Sequence, residues 1–199
     1  MTRISTVVLL ACLLGGVASP AAAQSVPDEL SALESYRRSL FNEVAPSVVF
    51  ISRDAGVGSG FFVDREGLVL TNAHVVGERE KVKVILHDGR SLTGEVVERA
   101  DEDVDLALVQ LDVEESEPLE LGGFEDVRVG NWAACVGHGL GGAWTFTTGM
   151  ISNIYPIEKK RPIFQTQIPL NPGSSGGPIL DSRGRVVGVV SAGIENSNN

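Results

Sequence analysis

The run Asn171-Pro172-Gly173-Ser174-Ser175-Gly176-Gly177-Pro178 constrains this chain more than any other stretch. It sets hydroxyls among glycines just ahead of the apolar pair Ile179-Leu180. Glycine tolerates backbone angles that other residues resist and lets another backbone come close. A serine on such a turn can present its Oγ to a carbonyl while neighbouring N–H groups, here those of Gly173 and Ser175, face the oxygen that becomes an oxyanion. A Gly/Ser run is also how an ordinary loop between strands looks. The choice between the two readings falls to the other residues a serine nucleophile needs.

The rest of the chain reads as short strands and tight turns. After a helical pattern over 28–44, with Leu30, Leu33, Leu40, Phe41 and Val44 on one face, Pro46 ends the helix. This helix is expected to pack over the barrel. Six strands are then expected at 47–53, 58–63, 68–71, 81–86, 91–98 and 104–111, with Asp88-Gly89 turning one hairpin. An acidic stretch over 114–128 reads as a linker. A second series is expected at 131–136, 144–154, 163–166, 177–180 and 185–192. The domain division is therefore 24–45 helical segment, 46–113 first barrel, 114–128 linker and 129–199 second barrel.

Residues 1–23 carry Arg3, an apolar stretch from Val7 to Val17 and Ala21-Ala22-Ala23, the layout of a cleavable export signal. The apolar stretch is short for a membrane span, so no stable span is expected after cleavage. Leu9-Leu10-Ala11-Cys12 resembles a lipoprotein box and ranks second to plain export. Cleavage would leave Cys135 alone, so no intrachain disulfide is expected. Cys135 reads as a packed thiol within an apolar strand. The formal net charge of −10 argues against nucleic acid as a partner, because such binding needs basic surface.

His74 comes after a strand, in Thr71-Asn72-Ala73-His74-Val75-Val76. Asp105 heads the apolar Leu106-Ala107-Leu108-Val109, where a carboxylate is costly to bury without a partner such as an imidazole N–H. Asp105 can equally be read as one more acid of the loop at 101–103. His87 reads as solvated on a hairpin and His138, between two glycines, as part of a flexible turn. No second histidine or cysteine stands at metal-ligand spacing, so no metal site is expected.

Taken together, 58–63 (Gly-Ser-Gly-Phe-Phe-Val), 71–76, Asp105-Leu106-Ala107-Leu108 and 171–178 resemble the HtrA/Deg branch of the trypsin-like serine proteases. The resemblance runs from about Val44 to Ile194 and implies an all-β fold of two six-stranded antiparallel β-barrels. It also implies Ser175 as nucleophile, His74 as general base and then acid, Asp105 as the group that orients His74, and no cofactor. Ile168, Pro169, Leu170, Ser191, Ala192 and Gly193 would border the substrate pocket, which carries no charge and so should prefer aliphatic residues. Polypeptides are the implied substrates, in an exported, periplasmic or secreted setting, and a homo-oligomer is compatible with the pattern. A protease-fold binding or chaperone-like module with little turnover is the competing reading. Ser174 stands where the family commonly has Asn or Asp, and Gln167 where it commonly has Asp. The PDZ domains common in the family are not expected within these residues. Only five strands are counted in the second half, so a closing strand is expected to come from beyond Asn199 or from another subunit.

Overall fold

The computed structural model describes residues 27–53, 56–101, 103–155 and 162–191. The expectations for the export signal, for Cys12, for Ala192 and Gly193, and for a closing strand beyond Asn199 fall outside these residues.

Helix α1 runs Asp28–Val44. Asp28 and Glu29 occupy its first turn, where carboxylates complement the positive end of the helix dipole. Pro46 lies in a short 3₁₀ turn, Ala45–Ser47, that ends the helix and feeds the first strand. Leu40 and Val44 are buried, but Leu30 and Leu33 are exposed, so the apolar face expected for the whole helix is covered only in its second half. Tyr36 explains the docking of the middle turns: its ring meets Trp132 edge-on at 5.8 Å and its hydroxyl donates to Ser182 O at 2.9 Å. Phe41 meets Phe146 in the same way at 5.9 Å.

The first half contains β1 (Val48–Arg53), β2 (Gly56–Phe62), β3 (Leu68–Thr71), β4 (Lys81–Ile85), β5 (Ser91–Arg99) and β6 (Ala107–Gln110). They close into an antiparallel barrel in the order β1-β2-β3-β6-β5-β4. Closure pairs every strand on both sides and leaves no edge. Alternation sets the inside, as in β4, where Val82 and Val84 point inward while Lys81 and Lys83 face solvent. Strand β6 begins later than the apolar pattern suggests because Asp105 adopts φ 56°, which breaks extended backbone. A single helical turn, α2 (Ala73–Val76), was not legible as a helix and carries His74.

The second half contains β7 (Trp132–Gly137), β8 (Thr145–Tyr155), β9 (Ile163–Thr166), β10 (Pro178–Leu180) and β11 (Val186–Val189). Among the described residues they form a curled five-stranded sheet in the order β11-β10-β7-β8-β9. The closed barrel and the curled sheet together make the two-barrel all-β arrangement. The core of the second half is built from Val127, Ala133, Cys135, Ile151, Ile168, Ile179 and Val190.

A third apolar cluster lies across both halves. Leu40 and Val44 of α1 meet Val48 and Phe61 of the first barrel and Ala134, Val136, Leu180 and Val186 of the second. The segment between the barrels is packed rather than loose. Leu119 is buried and donates its N–H to Phe62 O at 3.0 Å, while Gly122 N–H reaches Val186 O at 2.8 Å.

Candidate active site

His74 and Asp105 meet just beyond the end of β3, at α2. The ring Nδ1 lies 2.9 Å from Asp105 Oδ2 and 3.1 Å from Oδ1, and the His74 backbone N–H donates to Oδ1 at 3.0 Å. An ionised carboxylate only accepts, so the proton sits on Nδ1 and Nε2 is the ring's basic nitrogen. Ser191 Oγ donates to Asp105 Oδ2 at 2.7 Å. Burial alone would raise the Asp105 pKa, but the hydrogen bonds from Ser191 and from the backbone and ring of His74 outweigh it, and the carboxyl titrates below its ordinary range. The Asp105 carbonyl is held as well, by Asn72 Nδ2 at 2.9 Å and by Ala73 N–H at 3.2 Å. These bonds support its left-handed backbone, a conformation that aspartate tolerates better than most residues.

The serine turn belongs to the second half and docks on the first. Ser59 N–H donates to Ser175 O at 2.8 Å, and Gly176 N–H to Val190 O at 2.8 Å. Gly176 has φ 84°, and a side chain there would run into Ser59 O and the Thr71 hydroxyl. Only glycine lets the turn seat this close to the end of β3, which leads into His74. Val190, which takes the Gly176 N–H, directly precedes Ser191, so the same contact links the serine turn to the Asp105 carboxylate. The N–H groups of Gly173 and Ser175 have no acceptor among the described residues, and Ser175 Oγ likewise makes no hydrogen bond there. Bonds between nucleophile and base often tighten only when substrate is bound.

Of the candidate pocket residues, Ile168 is buried in the core of the second half, Leu170 packs partly against it and Pro169 is exposed. Ser191 turns its hydroxyl to Asp105. A hollow of about 230 Å³ lined by Trp132, Asp181 and Arg185 shares no residue with this set.

His138 departs from its expectation as part of a flexible turn. It is fully buried, edge-on to Phe50 at 4.9 Å and to Trp144 at 4.9 Å. Burial pushes its pKa down to about 4, so the ring is neutral. His87 is exposed as expected, yet it also meets Trp144 edge-on at 5.1 Å across the two halves. Nothing in the local sequence of Gly137-His138-Gly139 marks the burial, because the ring is enclosed only once β1 brings Phe50 against it and Trp144, just ahead of β8, folds back over it.

A closed barrel and a curled sheet, with an Asp–His pair and a glycine-bound serine turn brought to their junction, define the architecture of a trypsin-like peptidase. The trypsin-like peptidase domain model matches residues 58–189. The chain belongs to this family, on its HtrA/Deg branch. It is 44% identical over 149 residues to the putative serine protease HhoA of Synechocystis sp., covering 70% of this chain and 38% of that protein. It is 40% identical over 136 residues to a probable periplasmic serine endoprotease, DegP-like, of Halomonas elongata, covering 67% of this chain and 28% of that protein. The chain thus spans well under half the length of these curated relatives. Among solved structures, Deg5 superposes with a TM-score of 0.71 at 33% identity, covering 85% of this chain and 88% of that one. The HtrA-type protease AlgW with decapeptide superposes with a TM-score of 0.70 at 25% identity, covering 78% and 58%.

Proposed function

We propose that this protein is a serine endopeptidase that cleaves peptide bonds in unfolded or damaged proteins, with Ser175, His74 and Asp105 as its catalytic residues. The grip of the Asp105 carboxylate on His74 Nδ1 carries this reading, since it leaves Nε2 as the base a serine requires. In the reaction, Ser175 Oγ attacks the scissile carbonyl carbon and its proton passes to His74 Nε2. The carbonyl oxygen takes the electron pair as an oxyanion, facing the N–H groups of Gly173 and Ser175. Collapse breaks the C–N bond, His74 gives its proton to the leaving amine, and an acyl-Ser175 ester remains. Water, deprotonated by His74, then releases the acid and restores the serine.

Asp105 keeps the ring in its tautomer and stabilises the imidazolium that forms in each half-reaction. Its depressed pKa supports this role, because the carboxylate stays charged through neutral pH. By the family resemblance, residues 168–170 and 191–193 would border the pocket for the residue before the cut, where the uncharged side chains would favour Val, Ala or Leu. No helix among the described residues is long and apolar enough to cross a membrane. Export through residues 1–23 fits the periplasmic setting in the name of the Halomonas elongata relative.

The test uses casein and a fluorophosphonate probe. The wild-type protein should degrade casein and be labelled at Ser175. Ser175→Ala should lose both properties while keeping its thermal transition. Turnover of casein by Ser175→Ala at the wild-type rate would overturn the assignment.

A further inference from the structure

The buried hydroxyl of Ser59 joins parts of the chain that lie 79 and 114 residues away from it. Its Oγ is 2.8 Å from Gly173 O, 3.0 Å from His138 Nδ1 and 3.1 Å from the His138 backbone N. A hydroxyl has one proton to give and two lone pairs to fill. A carbonyl can only accept, so the Ser59 proton goes to Gly173 O. A backbone N–H can only donate, so it fills one lone pair. The imidazole must then donate from Nδ1 into the other. His138 is thereby fixed as the neutral Nδ1–H tautomer, and its buried Nε2 is a bare lone pair with no hydrogen-bond partner among the described residues.

The importance of this bond lies in the position of Gly173. At φ 103° and without a Cβ, it is a point where the adjoining peptide planes can rotate at little steric cost. One plane carries Pro172 O and the Gly173 N–H, and the other carries Gly173 O and the Ser174 N–H. Leu140 N–H holds the first plane through Pro172 O at 2.9 Å. Ser59 holds the second through Gly173 O, assisted by the bond from Ser174 N–H to Asn171 O at 2.9 Å. With both carbonyls held, the Gly173 N–H, on the opposite side of its plane from Pro172 O, points away from Leu140 and stays available. Residues 138–140 therefore hold both planes of the turn, Leu140 directly and His138 through Ser59.

We propose that His138 is a positioning residue for peptide hydrolysis: by donating from Nδ1 it aims the Ser59 hydroxyl at Gly173 O, and so locks the turn that presents the Gly173 and Ser175 N–H groups to the oxyanion. The proposal rests on the reading of Ser175 as the nucleophile. Loss of one oxyanion donor lowers kcat by roughly 100- to 1,000-fold in serine peptidases, and loosening one clamp on the turn should cost part of that, about 10- to 100-fold. The loss belongs in kcat, with KM changed by less than about threefold, because the interaction acts only once charge develops.

The experiment compares the full protein with Ser59→Ala, His138→Leu and His138→Asn, each corrected for its folded fraction by circular dichroism. Ser59→Ala and His138→Leu should lose kcat as above. His138→Asn keeps an N–H donor close to the position of Nδ1 and should recover to within about threefold of wild type. Ser175→Ala is measured beside them. If that variant keeps its turnover, the site reading fails. If it is inactive while Ser59→Ala and His138→Leu match wild type, the clamp alone is refuted. A second measurement needs no variant to fold: ¹⁵N spectra of the wild-type histidine rings should show His138 as the Nδ1–H tautomer. The Nε2–H tautomer would overturn the proposal.

Discussion

Acid should weaken this protein through one ring. His138 is enclosed completely, and burial holds its pKa at about 4 against an ordinary 6.5. A depressed folded-state pKa means that its contribution to stability is complete above the unfolded-state value and is lost as pH falls from there through the folded value. Within that window the unfolded chain holds one proton more than the folded one, so stability drops by about 1.4 kcal/mol for each pH unit. Over the whole interval, from 6.5 to about 4, the loss amounts to about 3 kcal/mol. That is a large share of the roughly 5–15 kcal/mol that holds a domain folded. Urea unfolding of wild type and His138→Asn, followed from about pH 7 down to about pH 4, isolates this ring. Asp105 also loses stabilising bonds in acid, but at lower pH and equally in both proteins. Wild type should lose about 3 kcal/mol more than the Asn variant over this range, and the two should run in parallel above about pH 7. Parallel curves throughout would refute the reasoning, as would a divergence on the alkaline side.

Other substitutions read out separate contacts. Gly176→Ala should destabilise by about 3 kcal/mol or more, visible as a large fall in the urea midpoint, because its methyl meets Ser59 O and the Thr71 hydroxyl at φ 84°. Ser191→Ala removes one of the bonds that keep Asp105 ionised; kcat on casein should fall about tenfold, and the Asp105 pKa, measured by carboxyl NMR, should rise. Cys135, with burial raising its thiol pKa to about 12, should resist iodoacetamide in the folded protein and react only after denaturation.

Much of the fold lies in local pattern. Strand β9 occupies 163–166 as its apolar spacing suggests, and the turn at Asp88-Gly89 joins β4 to β5. Helix α1 likewise spans the residues marked by its periodicity and by Pro46. Which part of that helix is covered was not legible, since Leu40 and Val44 find partners in strands far along the chain whereas Leu30 and Leu33 are left exposed among the described residues. The site divides in the same way. His74, Asp105 and Ser175 stand in distinctive local contexts, but nothing local tells what the hydroxyls of Ser59 and Ser191 hold. Their partners lie 114 and 86 residues away, and only the tertiary fold shows what they hold.

The cluster of Leu40, Val44, Phe61, Val136 and Leu180 ties the two barrels to one shared interior. Pulling them apart would wet an interior that both halves share, so opening of one half should be coupled to opening of the other. Amide protons in β2 and β7 should then exchange with solvent through one and the same global event, as members of a single foldon. For a chain in a peptidase family this bears on survival among its own copies. Under the endopeptidase activity proposed above, a molecule with one loosened half would offer extended segments to its neighbours; a molecule that opens only as a whole would offer them rarely, and autolysis should then be paced by complete unfolding.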